Sequence, residues 1–130
     1  MGVLIDSSVL VDSERADQDP RRFLDLPAAV SVITISELLH GARRADTPER
    51  RARREAFVES VTTLLPVIDF DLPVARLYAS LWAETAAKGT PVGAHDLMIA
   101  ATAQLLDWPV WARNRADFRR IPGTRLVDDG

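Results

Sequence analysis

The 130-residue sequence has no cysteine, which excludes disulfide staples and thiolate metal centres and points to a reducing, cytoplasmic setting. No run approaches the roughly 20 apolar residues that a bilayer span needs, and no charged segment leads into an apolar signal core, so neither membrane nor export is expected. Lysine is nearly missing: of 16 basic residues, Lys88 alone is not arginine. Arginine suits bidentate pairing with phosphate or carboxylate, although a GC-rich coding sequence produces the same skew. A net charge of −3 argues against a protein that coats nucleic acid by charge alone.

What is present fits one soluble domain across residues 1–130. Hydrophobic residues make up 47% and charged residues 27%, enough apolar content for a real core without the bias of disorder. Apolar runs and helical patterns alternate. Strands are expected at 3–5, 29–33, 67–69, 110–112 and 125–127. Helices are expected at 8–14, 18–26, 34–43, 48–65, 72–88, 94–107 and 116–120, with a break at Gly89-Thr90-Pro91. Short strands spaced by helices predict a three-layer α/β/α sandwich around a central parallel sheet.

Four acids punctuate this pattern. Asp6 ends the first apolar run, Glu37 and Asp96 fall in the first turns of helices, and Asp117 follows the strand at 110–112. Each has a plain structural explanation. Asp6 can N-cap the helix starting near Ser8, and Thr34 with Glu37 fits a capping box. Asp96 suits the positive end of a helix, and Asp117 can cap the turn at Phe118. Their joint placement carries more. In a parallel sheet, strand ends followed by helix starts lie along one edge, so the four carboxylates would converge and repel unless a cation sat among them. With no thiolate and only His40 and His95 as imidazoles, that cation would be hard and oxygen-liganded, Mg²⁺ or Mn²⁺. Such an ion polarises a phosphoryl oxygen and activates water, the chemistry of phosphodiester hydrolysis.

The segments LIDSSVLVD (4–12), TISELLHGAR (34–43), GAHDLMIAATA (93–103) and ARNRADF (112–118) together resemble the PIN domain. At this length they resemble the VapC toxins of prokaryotic toxin–antitoxin pairs. The resemblance covers the whole chain. It implies a Mg²⁺- or Mn²⁺-dependent endoribonuclease, with Asp6, Glu37, Asp96 and Asp117 as metal ligands and catalytic acids. In this reading Asp6 and Asp96 are primary, and Glu37 and Asp117 bind directly or through water. It further implies an RNA substrate, a VapB-like antitoxin that buries the cleft, and a homodimer. Ser7 stands where the family usually has Thr and keeps the hydroxyl. Ala112 stands where Thr or Ser is usual and loses it. Asn114 can share or replace the role of Asp117.

Around these acids, Arg113, Arg115, Arg119 and Arg120 are candidates for holding RNA phosphates, with Ser7 and Asn114 as further substrate contacts. The alternative for the arginines is plain surface charge. His95 beside Asp96 is read as no general base, because metal-activated water needs no imidazole. His40 reads as a helix C-terminal cation or surface group. Within RRARRE (50–55), Arg51 and Glu55 are spaced to pair on a solvated helix face. Trp82 and Trp108 are expected in packing. Trp111 is expected in the core, with base stacking as the alternative.

Two other acid-bearing α/β classes fail on residues. A response-regulator receiver needs a lysine after its last strand, and Lys88 ends a helix. A haloacid-dehalogenase-type phosphatase needs an acid two positions after Asp6, where Ser8 stands. The competing function is a catalytically inactive PIN-like RNA- or protein-binding module, suggested by Ala112.

Overall fold

The computed structural model describes residues 2–127. Four short strands, β1 (Val3–Ile5), β2 (Ala28–Ser31), β3 (Val67–Ile68) and β4 (Val110–Trp111), form one sheet in the order β3-β2-β1-β4. Every pairing is parallel, with Leu4 opposite both Ala29 and Val110. Parallel strands need crossovers. Helices α1 (Ser7–Arg15), α2 (Val32–Arg43), α3 (Pro48–Leu64), α4 (Leu72–Ala87), α5 (Ala94–Leu106) and α6 (Ala116–Arg119) supply them, with a 3-10 turn at Pro20–Asp25.

Side chains that alternate along each strand divide the core into two layers. On one face, Leu4, Ala29 and Val110 pack with Leu81 of α4, with Leu97 and Ile99 of α5, and with Phe118 of α6. On the other, Ile5, Val30 and Phe23 pack with Leu10 of α1, Leu38 of α2 and Val61 of α3. This is the predicted α/β/α sandwich. Both Leu4 and Ile5 are fully buried, which explains why β1 shows no apolar–polar alternation.

The structure corrects five expectations. Strand β2 stops at Ser31, not 33. The Ser31 hydroxyl accepts the Ile33 N–H at 3.0 Å and starts α2 at Val32. The β-branched Val32 and Ile33 extend the strand pattern, but the cap overrides that propensity. With the helix begun early, Glu37 lies in its second turn and the Thr34–Glu37 capping box does not form. Trp82, expected in packing, is 58% exposed and stacks on Tyr78 at 5.8 Å, one turn earlier on α4. The strand expected at 125–127 is a single parallel bridge between Leu126 and Val110. Residues 18–26, expected as a helix, contain the 3-10 turn, with Asp19 capping it through the Arg21 N–H at 2.9 Å.

Candidate active site

The strand order reverses at β1: the chain passes to β2 on one side, and later returns to β4 on the other. A crevice forms outside the carboxyl ends of parallel strands at such a point. Asp6 stands there, directly after β1. It is 5% exposed, and its Oδ2 accepts the Ser8 N–H at 3.1 Å and the Ser8 hydroxyl at 2.6 Å. The cap expected of Asp6 therefore forms, at the mouth of the crevice.

Three further acids reach the same place from separate segments. Glu37 comes from α2 after β2, Asp96 from the first turn of α5, and Asp117 from α6 after β4. Their proximity is visible in their electrostatics. Burial pushes the Asp96 carboxyl up to about 6, and the charges of Asp6, Glu37 and Asp117 add to the rise while His95 opposes it. Burial also raises Glu37, with Asp6 adding and the nearby His95 and Ser7 pulling the other way. Asp96 thus lies within electrostatic reach of the other three acids, and Glu37 within reach of Asp6.

Asp96 makes no cap: Gly93 holds the cap position of α5, without a side-chain hydrogen bond. Glu37 Oε1 is buried and has no hydrogen-bond partner. His95 Nδ1 is 3.6 Å from Glu37 Oε2, so the exposed imidazole sits over an acid. Asp117 lies inside α6, not at its cap, and is 3.7 Å from Arg120 Nη1.

An all-oxygen donor set, the orphaned buried Glu37 Oε1 and the raised Asp96 and Glu37 carboxyls fit a hard divalent cation. Among the described residues, no three acid or imidazole groups close on one coordination point.

The basic residues lie beside these acids. The Arg113 N–H donates to Ser8 Oγ at 2.9 Å, and its Nε is 3.2 Å from Asp12 Oδ2. Arg115 Nη1 donates to the Val127 carbonyl at 2.6 Å. Asn114, Arg119 and Arg120 are exposed, and Ser7 is the half-buried first residue of α1. Among the described residues no contact brings Asn114 to the acids. Ala112 is fully buried in the core. Trp111 packs edge-on against Phe23 at 5.8 Å, which is core packing. His40 is exposed in the last turn of α2, and Arg51 pairs with Glu55 at 2.9 Å.

Sequence reasoning missed Ser8, Asp12 and Glu14. Ser8 and Asp12 hold Arg113, and Glu14 Oε1 is buried, 3.4 Å from Arg53 Nε. The one signal for Ser8 was a hydroxyl two positions after an acid, and its partner lies 105 residues away.

Comparison with known proteins agrees with this architecture. The PIN domain family model matches residues 3–123. The chain is 31% identical over 128 residues to a Rickettsia bellii protein named ribonuclease VapC, covering 98% of this chain and 96% of that one. It is 41% identical over 99 residues to a Salmonella typhimurium protein named tRNA(fMet)-specific endonuclease VapC, covering 76% and 73%. Among solved structures, a chain of DNA-bound VapBC from Salmonella typhimurium superposes with a TM-score of 0.85, at 34% identity and 98% coverage of both chains. A match that begins in β1 and runs past α6 spans Asp6, Glu37, Asp96 and Asp117, and the chain belongs to the PIN domain family.

Proposed function

We propose that this protein is a divalent-metal-dependent endoribonuclease and the toxin of a toxin–antitoxin pair. The observation that carries the reading is the gathering of Asp6, Glu37, Asp96 and Asp117, from four segments, at the crevice beside β1. The relatives named ribonuclease and endonuclease support RNA as the substrate.

Asp6 and Asp96 would hold the cation, with Glu37 and Asp117 binding directly or through water. When bound, Mg²⁺ or Mn²⁺ supplies Lewis acidity toward a phosphoryl oxygen and lowers the pKa of water. Glu37 has a buried oxygen without a partner, so a positive ligand satisfies it at little reorganisation cost. Arg113, Arg115, Ser7 and Asn114 would contact the scissile strand, with the guanidinium groups taking its phosphates. His95, exposed and facing Glu37, stays outside the proton transfers.

The named VapBC neighbour is a complex, which supports a VapB-like antitoxin as partner. An acidic crevice suits a basic side chain from such a partner. The family resemblance adds a homodimer, which light scattering on the purified protein tests. No helix of the described residues is long and apolar enough to cross a membrane, and a cytoplasmic site of action is part of this proposal.

The test is cleavage of total RNA by purified protein with Mn²⁺, with Mg²⁺ and with a chelator. Site-specific cuts that need either ion and vanish with chelator support the proposal. RNA binding without cleavage under all conditions would leave a PIN-like binding module instead.

A further inference from the structure

Ser8 makes hydrogen bonds in two directions. Its hydroxyl donates to Asp6 Oδ2 at 2.6 Å and accepts the Arg113 N–H at 2.9 Å. An amide can only donate and an ionised carboxylate can only accept, so a hydroxyl is the small group that satisfies both. The Ser8 N–H adds a second bond to the same Oδ2 at 3.1 Å. Among the described residues no hydrogen bond reaches Asp6 Oδ1. The carboxylate is thereby held through Oδ2 by both the backbone and the side chain of Ser8.

The far end of this link matters equally. Arg113 opens the segment that leads to Asp117, and its guanidinium also rests on Asp12 Oδ2 at 3.2 Å, one turn beyond Ser8 on α1. The Asp6 N–H donates to the Trp111 carbonyl at 2.8 Å. Among the described residues three contacts pin segment 111–113 to the start of α1, and of these the Ser8 contact also touches the Asp6 carboxylate. Ala112 between them is buried and offers no side-chain hydroxyl.

We infer that Ser8 is a positioning residue. It sets the Asp6 carboxylate and holds the Asp117-bearing segment against it, so that acids from opposite sides of β1 act as one site. The inference rests on the proposed metal-dependent nuclease for its functional consequence, but its geometric content stands apart from any metal. Outer-shell hydrogen bonds of this kind carry roughly 10–100-fold in metal affinity or activity.

The experiment compares the full chain with Ser8→Ala and Ser8→Thr by three readouts. These are hydrogen exchange of the Arg113 amide without metal, Mn²⁺ affinity by electron paramagnetic resonance without RNA, and kcat and KM for RNA cleavage. Ser8→Ala should speed Arg113 exchange at least about 10-fold, weaken Mn²⁺ binding and lower kcat by about 10–100-fold, with KM little changed. Ser8→Thr, which keeps the hydroxyl, should restore all three. Should Ser8→Ala not fold, Ser8→Cys, close in size and a weak hydrogen-bonder, carries the same comparison. Unchanged Arg113 exchange in a folded variant lacking the hydroxyl overturns the inference. If the unsubstituted protein itself binds no Mn²⁺, the metal reading fails, and the exchange measurement still decides the role of Ser8.

Discussion

Asp6 Oδ2 accepts the Ser8 N–H at 3.1 Å, so the first acid of the crevice is also the N-cap of α1. Cap and site ligand are usually weighed as alternatives for such a residue, and here one carboxylate has the geometry of the first and the surroundings of the second. The two roles separate by chemistry. A cap needs an oxygen that accepts, and a cation site needs charge.

Asp6→Asn keeps a cap that is nearly as good and removes the charge. Its thermal stability should change by less than about 1 kcal/mol, while RNA cleavage falls at least about 100-fold. Asp6→Ala loses the cap as well and should cost up to about 2 kcal/mol, offset by relief of repulsion from the other acids. Chemical denaturation beside a cleavage assay reads both quantities. Full activity in Asp6→Asn would reduce Asp6 to a cap.

Acidity should show in the pH dependence of the metal-free protein. Asp96 has a folded pKa of about 6 against 3.8 ordinarily, so between these values the native state holds a proton that the unfolded chain has lost. Stability contributed at this site is therefore present at low pH and declines as pH rises through about 4 to 6. Glu37 is raised by the same causes and acts in the same direction. The clean measurement is the stability of Asp96→Asn minus that of the unsubstituted protein. That difference should grow in favour of the variant from about pH 4 to about pH 7. A flat difference would mean that neither burial nor the neighbouring acids raise Asp96.

In cells, the proposed activity predicts growth arrest when the chain is expressed alone. Co-expression with the proposed small partner should restore growth, because that partner would cover the crevice. Asp96→Asn, expressed equally, should not arrest growth. Normal growth at verified levels of soluble protein would count against a toxin.

The sheet was legible because β1 and β4 are continuous apolar runs that end at polar residues, and because helical patterns separate them. The end of β2 was not. Val32 and Ile33 have side chains that favour strands, and the deciding hydrogen bond, Ser31 Oγ to the Ile33 N–H, is set by local backbone geometry. Trp82 misled because apolar character alone does not distinguish a core residue from one that covers its own helix by stacking on Tyr78. The four acids were legible as carboxylates close to element ends, and parallel topology brings Asp6, Glu37 and Asp117 within electrostatic reach of Asp96. The Ser8–Arg113 link was not, since no spacing rule joins residues so distant in the chain.

The central claim is that the acids form a cation-binding nuclease site and are not four separate helix-end residues. Asp96 tests it best, because it makes no cap hydrogen bond and feels the other three acids. The measurement is thermal melting of the protein and of Asp96→Asn, each with and without Mn²⁺, alongside cleavage of total RNA. Removing one of several crowded like charges should leave the metal-free variant as stable or more stable. The variant should also lose most of the Mn²⁺-induced rise in melting temperature, since a ligand stabilises only the state that binds it, and cleavage should fall with it. If Asp96→Asn melts lower without metal, keeps the full Mn²⁺ shift and still cleaves RNA, Asp96 serves only the helix dipole and the account is wrong.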